Sequence, residues 1–413
     1  MAQLKEEADM RHTRPASTPA AMSELNQSRI VHSLHADGIS SRADIARKLN
    51  LTAPAVGKLV GRLIDAGIVS ETGEMTSGGH GRSIGLKLNA KRYQVIGVKF
   101  ARSLVQIAVF DIGGHLLSME ELPPVADENV EDCVEEVRGR IRGLLDEDPS
   151  IVAIGMAVPG PYLREEGRIA VVTSMQGWRG INFIKEFGKA FRVPTFIEQD
   201  ARAGAMAESL FDSRIAGSSL AYYLVGEGVG LGVIDQGNPV DGNLGAATEI
   251  GHVSIDMNGT ACECGNRGCL ECYCSAVAIH TLMGRTNQGD HFPGLAAMTH
   301  KEACDLLFTM ARQGDRTSMA LLDQVADYVG YGCVTIVNAY NPAQIIIGDL
   351  VAQAGQPLLD RVKSLVSARA LPQVRDHTEI LLSDLPADAT LTGAAAVAAN
   401  QFLEHPSSLG GMG

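Results

Sequence analysis

The sequence predicts an α/β protein, with a small helical head followed by a larger body of two lobes. Three observations carry this. Helical periodicity runs in three short stretches up to Gly67, then gives way to a Gly-rich, alternating segment. From Val95 onward short apolar strands alternate with amphipathic helices, in the order βββαβ and then a second strand-rich segment. Charge divides the same way. Residues 1–92 hold 13 Lys and Arg against 9 Asp and Glu, whereas the rest holds 22 against 39. The net charge of −13 therefore sits on the body, and only the head suits a polyanion.

Residues 1–22 mix Pro, Ser, Thr, Ala and charge without apolar periodicity, and read as a disordered arm. Leu25, Ile30, Val31 and Leu34 then share a helical face, which Gly38 ends. Ser40-Ser41 supplies an N-cap, with Asp44 placed to complete a capping box, for a second helix over Arg42–Leu49. The turn Asn50-Leu51-Thr52 leads into a third helix at about Ala53–Ala66, inward on Val56, Leu59, Val60, Leu63 and Ile64. Pro54 falls in its first turn, where a missing N–H costs little. Ile68-Val69, the glycines through Gly81 and the alternation Ile84-Gly-Leu86-Lys-Leu88 predict a two-stranded hairpin.

Three short helices and a hairpin make a winged helix-turn-helix over residues 23–90. The third helix is short enough for a major groove of double-stranded DNA, and its outer side is uncluttered. Thr52, Ala55, Gly57, Lys58 and Arg62 are its candidate DNA contacts: the cations reach phosphates or bases, and the small residues let the backbone approach. Arg42 is placed for a phosphate, and Arg82, in the wing, for a minor groove. A three-helix protein-interaction module shares the helices; the wing and the basic bias favour DNA.

The body is predicted over 93–413. Strands at about Val95–Phe100, Leu104–Phe110 and Leu116–Glu121 precede a helix at Glu128–Leu145 and a strand at Ile151–Val158. Thr195–Glu198 leads into a helix from Ala201, and Leu220–Leu224 pairs with Gly230–Ile234. Helices near Lys301–Arg312 and Arg316–Asn338 precede a strand at Ile345–Ile347. With 413 residues, 45% apolar and 20% charged, the chain can bury a sizeable core. Its apolar runs are too short to span a bilayer, and Met1–Arg14 lacks the apolar core of a secretory signal, so a cytoplasmic protein without a membrane partner is expected.

Five of the eight cysteines fall between Cys262 and Cys274, and nine residues separate His252 from the first of them. In a chain this long that clustering argues for metal rather than disulfides. Cys262-Glu-Cys264 offers two ligands from one tight loop, Gly265 and Gly268 let the chain fold back to Cys269, and His252 supplies a fourth. Four protein ligands close a tetrahedral shell, so the expected cofactor is structural Zn²⁺ in a loop over 252–274. Cys272 and Cys274 are surplus to it.

These residues together resemble the ROK family, which groups bacterial sugar kinases with sugar-responsive repressors. The likeness runs from about residue 25 to 400. It rests on Pro159-Gly160-Pro161, Gly177-Trp178, Glu198-Gln199-Asp200-Ala201, Glu249-Ile-Gly-His252 and the cysteine loop. It implies an actin-like body of the sugar-kinase, ribonuclease-H-like type, and zinc on His252, Cys262, Cys264 and Cys269. It also implies a sugar between the lobes, met by Gly160, Gln199, Asp200, Glu249, His252 and Glu271. Carboxylates accept hydroxyl protons, and an imidazole can order a ring while touching a metal through its other nitrogen. The family's Asn before the aspartate is Gln199 here, whose extra methylene moves the amide.

The family's kinases carry Asp-x-Gly-Gly-Thr after the first body strand, to cradle ATP phosphates and hold magnesium. In register this chain reads Lys99-Phe-Ala101-Arg102-Ser103. The second phosphate loop, Gly-Thr-Gly, is Gly226-Glu227-Gly228, and a later Gly-Gly is Gly348-Asp349. The resemblance thus implies a regulator without a catalytic residue, in which Asp200 accepts hydroxyls. Its head places it in the repressor branch, similar to regulators of xylose, glucose and N-acetylglucosamine genes. Such a repressor of carbohydrate-use genes would bind an operator as a homodimer or homotetramer and answer a small sugar or sugar phosphate; a docked protein partner is the other signal to consider. One imitation of the lost motif exists, Asp111-Ile-Gly113-Gly114-His115. Were it the phosphate loop, the chain would be an ATP-dependent sugar kinase with an accessory head.

Overall fold

In the computed structural model, which describes residues 18–76, 82–101, 104–170, 173–215, 219–385 and 388–409, Thr18 caps the first helix, α1, Pro19–Asp37. Its Oγ1 accepts the Ala21 N–H at 3.2 Å. The helix thus begins inside the stretch expected as a disordered arm: a capping Thr and a Pro with pre-set φ start it before any apolar periodicity does. Residues 1–17 of that arm lie outside the described residues. Next come β1 (Ser40–Ser41), α2 (Arg42–Leu49), α3 (Ala53–Asp65), β2 (Val69–Thr76) and β3 (Arg82–Leu88), in a sheet of order β1-β3-β2. Ser41 Oγ accepts the Asp44 N–H at 3.1 Å, the expected cap. Ile30, Val31, Leu34, Ile45, Val56, Val60 and Leu63 form the buried centre of this winged helix-turn-helix.

The body begins with a five-stranded sheet of order β10-β7-β4-β5-β6. Its parts are β4 (Gln94–Phe100), β5 (Val105–Asp111), β6 (Leu116–Glu121), α4 (Val130–Glu147), β7 (Ile151–Val158), the small pair β8 (Tyr162–Leu163) and β9 (Arg168–Ile169), α5 (Phe183–Phe187), β10 (Thr195–Gln199) and α6 (Asp200–Phe211). Phe100, Trp178, Phe183 and Phe187 interlock beneath it, with ring centroids 5.2–5.9 Å apart for four of the pairs. The β5–β6 connection carries the imitation motif. Asp111 Oδ1 accepts the Gly113 N–H at 2.9 Å, and the pair of glycines simply turns one strand into the next.

The second lobe is built on a sheet of order β13-β12-β11-β14-β15. It comprises β11 (Leu220–Val225), β12 (Val229–Asp235), β13 (Asn238–Pro239), α7 (Glu271–Cys274), α8 (Ala276–Thr286), α9 (His300–Arg312), α10 (Arg316–Tyr340), β14 (Gln344–Gly348), α11 (Gln356–Arg369), α12 (Pro372–Arg375) and β15 (Glu379–Leu382). Val325, Val329, Ile336, Ile345 and Ile347 are among its wholly buried residues. The last helices are α13 (Ala389–Glu404) and α14 (Pro406–Leu409). Alanines line α13 because it lies against β7: a methyl group on Gly155 would stand 1.8 Å from the Ala394 carbonyl oxygen. No helix among the described residues is long and apolar enough to cross a membrane.

The chain separates into two compact units, Met1–Gln94 with Asp111–Gly113 and Ala399–Gly413, and Val95–Phe110 with Gly114–Ala398. By these contacts the chain's end groups with the head. Phe402 packs on Tyr93 at 4.9 Å, and Glu24 Oε1 accepts the Ser407 N–H at 3.2 Å. Neither contact has a local sequence signature.

Candidate functional site

A cavity of about 690 Å³ opens along one edge of the first body sheet, closed by residues of the second lobe. All six residues expected for a sugar, Gly160, Gln199, Asp200, Glu249, His252 and Glu271, line it. The β10–α6 junction positions the first of them. Gln199 Oε1 caps α6 by accepting the Arg202 N–H at 2.9 Å, which fixes its amide nitrogen toward Gly160. A methyl on Gly160 would stand 2.9 Å from that nitrogen and 3.3 Å from Glu249 Oε1. Glu249 Oε1 is itself buried, without a hydrogen-bond partner among the described residues. Glu271 Oε2 accepts the Val229 N–H at 3.1 Å.

Electrostatics at this end are those of crowded carboxyls. Burial pushes Asp200 up to about 7; Asp349 adds to the shift, and the Ala201 N–H and Lys99 oppose it. Burial likewise pushes Glu249 up to about 7, helped by Asp200 and Glu271. Such groups accept hydroxyl protons well and gain from doing so.

Further along the cavity, at the end of β4, stands Lys99. Its Nζ donates to Asp388 Oδ2 at 2.7 Å and lies 4.0 Å from Asp349 Oδ2. Burial alone would lower the amine's pKa, but Asp388 and Asp349 outweigh it and hold the pKa above its ordinary value. Burial would raise the Asp388 carboxyl, yet Lys99 outweighs that and keeps it below the usual range. Asp388 also caps α13, accepting the N–H groups of Thr390 and Leu391 at 2.9 and 3.0 Å. Asp349 fills the neighbouring space: its Oδ1 lies 2.6 Å from where a Cβ would stand on Gly226. Glu227 lines the same cavity.

Beside the first end, His252, Cys262, Cys264 and Cys269 bring four ligand atoms within 4.8 Å of one another. Cys262 Sγ lies 3.8 Å from His252 Nδ1, and Cys264 Sγ lies 3.7 Å from Cys269 Sγ. A tetrahedral zinc with Zn–S bonds of about 2.3 Å needs ligand atoms roughly 3.6–3.8 Å apart, so the set fits such an ion. Gly268, at φ +67°, makes the return possible: a side chain there would meet the Asp256 carbonyl oxygen at 1.7 Å. His252 turns Nδ1 to the thiols and lines the cavity, so Nε2 is the nitrogen left for a ligand. Of the surplus thiols, Cys274 is core, wholly buried with its Sγ 3.5 Å from the Leu270 carbonyl, and Cys272 is half-buried.

The sequence reading missed the brace behind Asp200. Glu198 accepts from the Gln199 N–H and from Arg202 Nε, each at 2.8 Å, and from Arg164 Nη2 at 2.5 Å; Arg164 also reaches Asp241 at 3.0 Å. The i,i+4 spacing of Glu198 and Arg202 was the only local signal for it.

On the reading helix, Gly57 and Lys58 are exposed, and a methyl on Gly57 or Gly61 would meet nothing within 4 Å. Ala55 is half-buried, and Thr52 serves as the helix cap, its Oγ1 accepting the Ala55 N–H at 3.4 Å. Arg62 is exposed and donates to Ser23 Oγ at 3.2 Å. Arg42 pairs with Glu71 of the wing at 2.8 Å. Arg82 opens β3, and its side chain lies outside the described residues.

The fold and site define a class: a winged DNA-reading head on a two-lobed, sugar-kinase-like body. The chain belongs to the ROK family, whose model matches residues 95–401. A winged helix-turn-helix DNA-binding model matches residues 24–70. The chain is 27% identical over 384 residues to the xylose repressor of Bacillus spizizenii, spanning 92% of this chain and 96% of that protein. It is 28% identical over 310 residues to the glucokinase of Thermotoga maritima, which covers 74% of this chain and 97% of the kinase. Among solved structures, a ROK family transcriptional regulator described as a homologue of the Escherichia coli MLC protein aligns with a TM-score of 0.76 at 25% identity, covering 95% of this chain and 98% of that one.

Proposed function

We propose that this protein is a cytoplasmic, sugar-responsive DNA-binding repressor of carbohydrate-use genes, whose body binds sugar without phosphorylating it. The observation that carries this is the Lys99–Asp388 ion pair. Where the family's kinases cradle phosphate, this cavity holds a satisfied lysine among carboxylates. A triphosphate brought there meets the carboxyls of Asp349, Asp388 and Glu227 beside a lysine that is already paired, while hydroxyl acceptors wait around Asp200. Asp200 then acts as an acceptor for a sugar hydroxyl, beside Glu249, Glu271 and the Gln199 amide.

Lys58 and Arg62 carry the DNA contact, with Arg42 and Arg82 on flanking phosphates and groove. Zinc on His252, Cys262, Cys264 and Cys269 would supply a rigid cross-link that fixes His252 for the sugar. A homodimer or homotetramer suits an operator of two half-sites. Sugar and operator are linked reciprocally: whatever factor the sugar takes from operator affinity, the operator takes from sugar affinity.

The test is a gel shift at fixed salt, using the DNA upstream of the chain's own gene, with and without sugars. Specific binding that a sugar weakens is the expected result, and Lys58→Ala should lower it about fivefold with a shallower salt dependence. Zinc content belongs to the same preparation: about one ion per chain, lost in Cys264→Ser. The retained Asp200 keeps one rival reading alive, an ATP-dependent sugar kinase. ATP-dependent phosphorylation of any sugar, abolished in Asp200→Asn, would replace the repressor reading with that one.

A further inference from the structure

Resting on the sugar-sensor reading, we propose that the effector is an unphosphorylated saccharide of at least two rings. Its first ring sits at the Asp200–Glu249–His252 end, and its second lies against a wall formed by Leu104, Leu122 and Pro124.

Length is the first argument. The cavity follows the edge of the first body sheet, with lining residues at the end of β10 (Gln199), after β7 (Gly160), at the end of β4 (Phe100), at the start of β5 (Leu104) and at the end of β6 (Glu121). From β10 to β6 is four strand intervals, roughly 19 Å at about 4.8 Å each. A single pyranose covers about one interval. Volume agrees. At about 30 Å³ per water, 690 Å³ holds on the order of twenty waters, and one pyranose displaces roughly a third of them.

The chemistry of the far wall is the second argument. Leu104 and Pro124 present apolar surface, and Gln106 donates to Glu121 at 3.1 Å across the same stretch. Apolar faces with a few fixed polar groups suit a second sugar ring, whose C–H face packs while its edge hydrogen-bonds.

Charge is the third. Among the described lining residues are seven carboxyls and two lysines. Lys99 is held by Asp388 and Lys301 by Asp305, at 2.7 and 3.1 Å. Among the described lining residues, a phosphate dianion would meet carboxyls in excess and two lysines that are already paired. Neutral hydroxyls can donate to those carboxyls without repulsion.

The experiment is isothermal titration of the full chain with three sets of probes: xylose, glucose, galactose and N-acetylglucosamine; glucose 6-phosphate and N-acetylglucosamine 6-phosphate; xylobiose, cellobiose, maltose and lactose. The expected result is one disaccharide binding at least tenfold tighter than its own monosaccharide, with both phosphates weaker than the parent sugars. Leu104→Asp, at a half-buried position, should then cost that disaccharide about tenfold. A monosaccharide binding as tightly as every disaccharide, or a phosphate binding tightest, overturns the inference and leaves the sensor reading standing. No binding by any sugar overturns the sensor reading and this inference with it.

Discussion

The two ends of the cavity carry the same functional group in opposite circumstances. At the Asp200 end, burial outweighs the pull of nearby cations, and Asp200 and Glu249 are both pushed up to about 7. At the Lys99 end, Asp388 is bonded to an amine and held below its ordinary range. The first end is incomplete until a ligand supplies donors. The second is complete in itself. A kinase needs both ends open to ligands, and a sensor needs only one. The contrast therefore distinguishes the two uses of one fold better than overall likeness does, since relatives of both kinds match this chain at similar identity.

The comparison breaks most readily at Lys99. Lys99→Met leaves buried carboxylates without their cation, and urea unfolding should report a loss of about 3 kcal/mol. Lys99→Met with Asp388→Asn should recover most of it. A single variant as stable as the parent would mean that the ion pair closes nothing. Next in size is Asp200→Ala, which removes a charged acceptor; calorimetry should show sugar affinity down about 100-fold, in line with hydrogen bonds to charged groups. A loss under threefold would relocate the sugar.

The pH response should be smaller and has a definite sign. The carboxylate form of Asp200 is the acceptor and its pKa lies near 7, so sugar affinity should rise roughly tenfold or less from pH 6 to pH 8. The empty protein should show the converse. Its Asp200 pKa is raised above the unfolded value, so this carboxyl supports folding at low pH, and that support is lost as pH rises from about 4 to 7. A flat binding profile would point to another acceptor. Smallest of all, Glu227→Gln should alter sugar affinity less than twofold, because Glu227 belongs to the Lys99 side of the cavity. A large change there would merge the two ends into one site.

Much of this was legible in the chain. Strand ends, the Ser41–Asp44 cap and the wing followed from local patterns, since each rests on contacts a few residues apart. So did the four metal-type ligands, whose spacing and glycines encode one loop. The loss of the phosphate motifs could be read at Lys99, Glu227 and Asp349. What took their place could not, because Lys99 and Asp388 are 289 residues apart and neither has a local pattern. The Arg164–Glu198–Asp241 brace was hidden for the same reason. The run of small residues in α13 carries little amphipathic signal, because its alanines answer to a glycine on a distant strand rather than to each other.

The Lys99 ion pair has a consequence for descent. Restoring the kinase aspartate at position 99 alone would set it beside Asp388 and Asp349, three carboxylates with no cation. Neutralising Asp388 and Asp349 first would instead strand a buried lysine. Either order passes through a destabilised intermediate, so the two sides of the pair are expected to change together. The pair works as a latch: its members can be exchanged together but not singly.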